Sequence, residues 1–392
     1  MLNSTLIIFI SVFTIGLIAF EKLATISNQI IKKYLVLLVS IALIAWLDIY
    51  SLILLSIYST VIIIVIKKRL KFFDNILLFV ICNILLLIFI KDYYLLFDIS
   101  TVYVPLGVSY YFFRLISFVI EYRKNKEYYE KIYLLDYYIY VFFFPIFLAG
   151  PIHRFKDFYL LKTTLSDNQR AKKYIYLFVI IIVKLLIIDS LLFPLAYENY
   201  YVLIKNEITM NIITYKLFLF GFFAFIHAYM DLMIYTEISK TIASLLGFST
   251  QENFNKPLLG TNISKFWQSY HMSLSNWTRD YVFFPTLIKT KKVWLSTYSS
   301  MMMIGIWHSI SLNWIFWAFM HGSALNFYLW FRNQTIYKMM LKYKASKILI
   351  SIFGNIFTIA FVSMVFVIVA IHDNEITTKI FSTIWIYIKG IV

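Results

Sequence analysis

Two aromatic stretches of the chain carry imidazoles. His271 lies in TNISKFWQSYHMSLSNWTRDYVFFP, residues 261–285, and His308 and His321 lie in WHSISLNWIFWAFMHG, residues 307–322. An imidazole without a nucleophile partner suits general-base work, taking a proton from a hydroxyl as that hydroxyl attacks an activated acyl carbonyl. Such acyl transfer needs no covalent intermediate, and surrounding aromatics would keep water from hydrolysing the donor. Three imidazoles could instead hold zinc. The chain has no HExxH, no histidine pair at i,i+4 and no CxxC, so no metal is expected. A GxSxG elbow is also absent, which leaves a serine hydrolase unsupported. The single cysteine, Cys82, sits in LLFVICNILLL and reads as a buried, inert thiol.

The elements that hold these histidines can be read from the pattern around them. A helix is expected to start near Asn313 as N-cap, placing Trp314, Trp317, His321, Leu325 and Tyr328 on one stripe. His321 is then eleven residues from the interfacial Arg332, about 16 Å at helical rise, or about half of a ~30 Å hydrocarbon core. Ionisable groups at that depth are functional hypotheses by default. The alternative is a neutral histidine bridging two helices. The leg from Leu295 to His308 is short and breaks at Ser309, Ser311 and Asn313, which would set His308 beside a cavity. The 261–285 stretch mixes Lys265, Trp267, Tyr270, His271, Trp277, Arg279 and Asp280 and reads as an amphipathic segment at an interface.

These elements belong to a membrane protein. The 392 residues are 61% hydrophobic and 14% charged, against about 45–50% and about 25% in soluble domains. Apolar runs near 4–20, 34–66, 74–91, 104–120, 132–149, 174–195, 212–234, 299–331 and 347–371 imply an all-α, polytopic chain. About nine to eleven spanning segments are expected, packed as one domain over 1–392. The run from Thr5 to Phe20 reads as an uncleaved first helix. The run from Tyr34 to Ile66 has 33 residues, roughly 50 Å as one helix, so a fold-back is expected at Asp48. That would bring Lys32 and Lys33 to the same face as Lys67, Lys68, Arg69 and Lys71. The net charge of +16 sits at the ends of apolar runs, pointing to anionic lipid rather than nucleic acid. The acid-free stretch from Arg332 to Lys347 reads as a cytoplasmic loop.

Five stretches, in order, resemble the membrane-bound O-acyltransferases, in the bacterial branch of alginate O-acetyltransferases and teichoic-acid D-alanyl transferases. They are PLGVSYYFFRLISFVIEYR at 105–123, FLAGPIHRF at 147–155, NFNKP at 253–257, FWQSYHMSLSNWTRDYVFFP at 266–285, and the segment from GIWH to Gly322. The resemblance covers about residues 100–335 and implies a ring or horseshoe of transmembrane helices around a central funnel. It implies that His321 is the catalytic base and His271 a supporting polar group. Trp307, His308, Trp267, Ser273, Arg279, Asp280 and Asp231 would line the funnel or bind substrate. The donor would be a cytoplasmic thioester, on coenzyme A or an acyl-carrier protein, acting as substrate with no bound cofactor. The acceptor would be a hydroxyl of an envelope glycopolymer, reached through a partner protein, in the bacterial cell membrane.

The chain departs from the family pattern in places. Gln268 and Ser269 replace a pair of arginines, Tyr270 replaces a tryptophan, and Ser309 replaces a glycine. DLMIYTEIS at 231–239 keeps Asp231, Tyr235 and Glu237 but not the small residues, and the glycines after Pro285 are missing. The segment from Asp373 and Pro285 look like the acetylating branch, whereas FFRLISFVIE and GPIHRFKDF look like the D-alanyl branch. Two other classes stay open: a transporter or flippase of a lipid-linked glycan or small anion, and an inactive scaffold.

Overall fold

A computed structural model describes residues 28–68, 76–97, 103–158, 165–196, 198, 210–340 and 342–371. The apolar run at 5–20 and the segment from Asp373 lie outside them. The described residues form helices and no β-strand, as expected of an all-α chain. Five of the helices are long and apolar enough to cross a membrane: Gln29–Leu47, Ile49–Lys67, Asp167–Ala196, Tyr215–Leu245 and Ser346–Ala370. The chain is an all-α, polytopic membrane protein. It divides into two compact units, Met1–Leu177 with Tyr235–Glu252, and Phe178–Ile234 with Asn253–Val392.

The first unit opens on α1 (Gln29–Leu47), capped by the Asn28 side chain, which accepts from the Ile30 and Ile31 N–H groups. The expected fold-back follows. Asp48 is extended, at φ −162° and ψ 98°, and α2 (Ile49–Lys68) packs back against α1. The Asp48 carboxylate accepts from the Tyr50 N–H at 3.1 Å, from the Ser51 and Tyr103 hydroxyls, and from the Leu106 N–H at 3.4 Å. Burial alone would raise its pKa, but bonds from Ser51, Tyr103 and Leu106 outweigh it and hold the group below its ordinary value.

Helices α3 (Ile76–Phe97) and α4 (Val108–Lys124) follow. Gly107, at φ 69°, turns the chain into α4, and a Cβ there would lie 2.3 Å from the Phe147 carbonyl oxygen. On α3 the buried side chains among the described residues are Phe79, Asn83, Leu87 and Asp92. Cys82 is exposed, so the expectation of a buried thiol is corrected. Its apolar neighbours reflect a helix surface suited to lipid rather than a protein core.

A short α5 (Lys126–Glu130) leads to α6 (Leu134–Phe142), which packs on α1 through a Lys33–Asp136 ion pair of 2.5 Å. Buried Arg114 donates to the Val141 carbonyl where α6 ends and lies over the Tyr140 ring. The loop that follows is tied down by His153. Its Nε2 accepts from the Gln251 N–H at 3.0 Å and its Nδ1 lies 2.8 Å from the Pro151 carbonyl oxygen.

The chain continues through α7 (Asp167–Val183), a π-helical stretch from Lys184 to Leu192, and α8 (Met210–Leu245). In the second unit the 261–285 stretch folds as α9 (Ile263–Ser269), α10 (Met272–Thr278), a π turn, and α11 (Phe284–Thr290). It is less of a surface segment than its amphipathic pattern implies, because Phe266, Trp267, Leu274 and Trp277 are all buried. Helices α12 (Val293–His308) and α13 (Leu312–Phe331) then form a tightly packed pair. The N-cap of α13 is Ser311 rather than the expected Asn313. Its extended backbone leaves its carbonyl to accept from the Trp314 and Ile315 N–H groups, which puts Asn313 inside the first turn. After α14 (Thr335–Met340), α15 (Lys344–Ala370) packs on α13. Its Asn355 side chain donates to the Leu258 and Gly260 carbonyls, at 2.7 and 3.1 Å.

Candidate active site

Residues 253–255 run beside residues 269–273 and form the floor of the site. The Asn255 N–H donates to the Ser269 carbonyl at 2.9 Å, and the Met272 N–H to the Asn253 carbonyl at 2.8 Å. The Asn253 carboxamide oxygen accepts from the Ser273 N–H at 3.2 Å and from its hydroxyl at 2.9 Å. These bonds pin the chain on both sides of His271, which takes φ 44° and ψ 52°. The left-handed region is uncommon for residues other than glycine, and histidine is among those that tolerate it better. The kink separates α9 from α10 and leaves the His271 ring buried. Neither of its ring nitrogens has a hydrogen-bond partner, and Trp307 meets the ring edge-on at 5.8 Å.

His321 is on the buried face of α13 with Trp317, Ala318 and Gly322; of the stripe expected from the spacing, Trp317 and His321 are buried, while Trp314, Leu325 and Tyr328 are half-buried. Glycines let α12 and α13 approach closely. A Cβ at Gly305 would lie 2.7 Å from the Trp314 carbonyl oxygen, and one at Gly322 would lie 2.6 Å from the Tyr298 ring. His321 is fully buried. Its Nδ1 accepts a hydrogen bond from the Trp267 indole N–H at 3.2 Å, while its Nε2 has no partner. Trp317 and Phe361 pack on the ring at 4.3 and 5.3 Å between centroids. His308 stacks flat on Trp314 at 3.9 Å and touches Trp307 and Trp317. Ring neighbours therefore run without a gap from His271 through Trp307, His308 and Trp317 to His321 and Trp267.

Buried polar groups in folded proteins are almost all hydrogen-bonded. Three ring nitrogens in this one aromatic cluster are not, which makes it the candidate site. Dry aromatic walls would also strengthen any charge interaction formed inside. Among the described residues no three His, Cys, Asp or Glu side chains converge as metal ligands would.

The remaining expected site residues are placed differently. Ser273 is buried and held by Asn253, so it supports the His271 kink. Arg279 pairs with Asp280 at 2.8 Å and also donates to Asn276. Asp231, on α8, pairs with Lys184, which also reaches Asp189 at 3.2 Å. Its partner is this ion cluster rather than either imidazole. Asn253 is the residue that reading the sequence overlooked. Its motif, NFNKP, was visible, but its bond to Ser273 across 20 positions was not.

The family model for the membrane-bound O-acyltransferase family matches residues 7–368. The teichoic acid D-alanyltransferase of Bacillus subtilis (strain 168) is 29% identical over 242 residues, covering 58% of this chain and 59% of that protein. A probable alginate O-acetylase of Pseudomonas fluorescens is 29% identical over 243 residues, covering 58% of this chain and 46% of that one. A membrane-bound O-acyltransferase of Saccharomyces cerevisiae is 28% identical over 190 residues, covering 48% and 33%. The chain thus spans about half the length of the first two relatives.

Proposed function

We propose that this chain, which belongs to the membrane-bound O-acyltransferase family, passes an acyl group from a thioester donor to a hydroxyl of a cell-envelope glycopolymer. The observation that carries the reading is the pair of buried imidazoles, His271 and His321, with unpartnered nitrogens inside one aromatic cluster. In the step proposed, the acceptor oxygen bonds to the acyl carbon and the carbon–sulfur bond breaks. The hydroxyl proton passes through an imidazole to the departing thiolate. The two imidazoles divide the proton transfer and the stabilisation of the carbonyl oxygen between them. The names of the relatives support acetyl or D-alanyl as the group moved. The donor is a soluble thioester, on coenzyme A or a carrier protein, met at the cytoplasmic face of a bacterial cell membrane. The acceptor is delivered on the far side with a partner protein.

The test is mass spectrometry of envelope glycopolymers from cells carrying the wild-type chain or His321→Ala, with membrane levels matched. An acetyl or D-alanyl mass increment present with the wild type and lost in the variant is the expected result, and it names the group. Equal acylation in both would overturn the reading.

A further inference from the structure

Position 271 breaks two local preferences at once. It is the N-cap of α10, a place that favours serine, threonine, asparagine and aspartate because their short side chains accept from the N–H groups of the first turn. Its backbone is left-handed, at φ 44° and ψ 52°, a region that glycine enters without strain. Histidine meets neither preference, and its side chain makes no capping bond. Backbone strain of this kind persists only where the surroundings over-determine it, and it clusters at functional sites.

Residues 253–255 supply what position 271 does not. The first two N–H groups of α10, on Met272 and Ser273, donate to the Asn253 carbonyl at 2.8 Å and to its carboxamide oxygen at 3.2 Å. Asn253 thus caps α10 from a separate segment. A backbone N–H only donates, so the carboxamide is turned with its oxygen toward Ser273, whose hydroxyl adds a second bond at 2.9 Å. The Asn253 Nδ2 makes no bond in the chain, which leaves the holding to the oxygen. The Phe254 ring meets those of His271 and Tyr270, at 6.2 and 5.3 Å between centroids. The Asn255 N–H donates to the Ser269 carbonyl at the end of α9. The same three residues therefore close α9 and open α10, with His271 fixed between the two ends.

We propose that Asn253 is a positioning residue for acyl transfer: it caps α10 in place of residue 271, which holds His271 in its left-handed backbone and leaves the imidazole free of a capping task. This rests on the acyl-transfer reading. Asn253 acts through His271 and does not touch the substrate.

Aspartate keeps the capping oxygen and is as good a cap as asparagine, whereas alanine has none. With chain levels in the membrane matched, N253A is expected to lower glycopolymer acylation about tenfold or more, because small misplacements of a site carry penalties of that order. N253D is expected to stay within about threefold of the wild type. Wild-type acylation by N253A would overturn the proposal. So would an N253D as inactive as N253A, since the amide N–H groups would then be what matters.

A second measurement reads the backbone without substrate. NMR of the full chain, isotope-labelled at histidine and held in detergent, identifies the His271 signals by their loss in H271A. The wild type and N253D should show backbone carbon shifts of a left-handed residue, and N253A should not. The signals of His227, which lies on α8 beside Phe193, should stay in place in all three. His271 signals unchanged in N253A, or His227 signals displaced as far as those of His271, sink the proposal. If no acylated polymer is found even with the wild type, the acyl-transfer reading fails, while the NMR still decides whether Asn253 sets the His271 backbone.

Discussion

His153 shows what a histidine with a purely structural task looks like. It is fully buried with both ring nitrogens engaged, and burial, aided by nearby Arg114, pushes its pKa down to about 3 against the bond to the Pro151 carbonyl. The depressed value fixes the sign of a pH effect. Above the ordinary histidine pKa of about 6.5 neither state binds the proton, and below it only the unfolded chain does, so stability is lost as pH falls toward about 3. His153→Ala should be less stable than wild type at about pH 7.5 by about 1–3 kcal/mol, since it leaves the Gln251 N–H unpaired. That gap should shrink at about pH 5, by at most about 1.4 kcal/mol for each pH unit below the ordinary pKa. Thermal unfolding in one detergent at both pH values checks this, and a constant gap refutes it. At this scale the sequence separated the histidines only in part. The inward face of His321 followed from the helical period, but its bond to Trp267 joins residues 54 positions apart, and no local pattern encodes such a pairing.

At the scale of elements, local patterns were legible where a single helix decides the outcome. The 33-residue run is too long for one span, and Asp48 is the residue at which it folds back. The stripe containing Trp317 and His321 followed from the 3.6-residue period. Ser311 and Asn313 are equally favourable capping types two residues apart, so residue type could not place the cap of α13, and the extended backbone at Ser311 decides where the helix starts. The spacing between α12 and α13 could not be read at all, since it depends on which glycines face which backbone. Gly305 is such a position, with the Trp314 carbonyl oxygen 2.7 Å from its would-be Cβ. Gly305→Val should therefore force the two helices apart, cost about 1–3 kcal/mol through overpacking, and displace His321 from Trp267. The measurable outcome is a lower unfolding midpoint together with loss of the His321 Nδ1 hydrogen-bond signature. A variant with wild-type values for both would show that the close approach is not needed.

At the scale of the molecule, the charge distribution sets orientation. Lys32 and Lys33 begin α1, and Lys67 and Lys68 end α2, so the hairpin closed at Asp48 gathers four cations at one membrane face. Basic loops are retained on the cytoplasmic side, so the Asp48 turn is expected on the opposite side. The chain makes this simple to test, because Cys82 is its only cysteine. In a Cys82→Ser background, a cysteine at Tyr50, which is 66% exposed beside the turn, should react with a membrane-impermeant maleimide in intact cells. One at Lys67 should react only after the membrane is opened. The reverse pattern would put the four basic residues outside and refute this orientation. Labelling of both positions from outside would mean that the hairpin does not cross the bilayer.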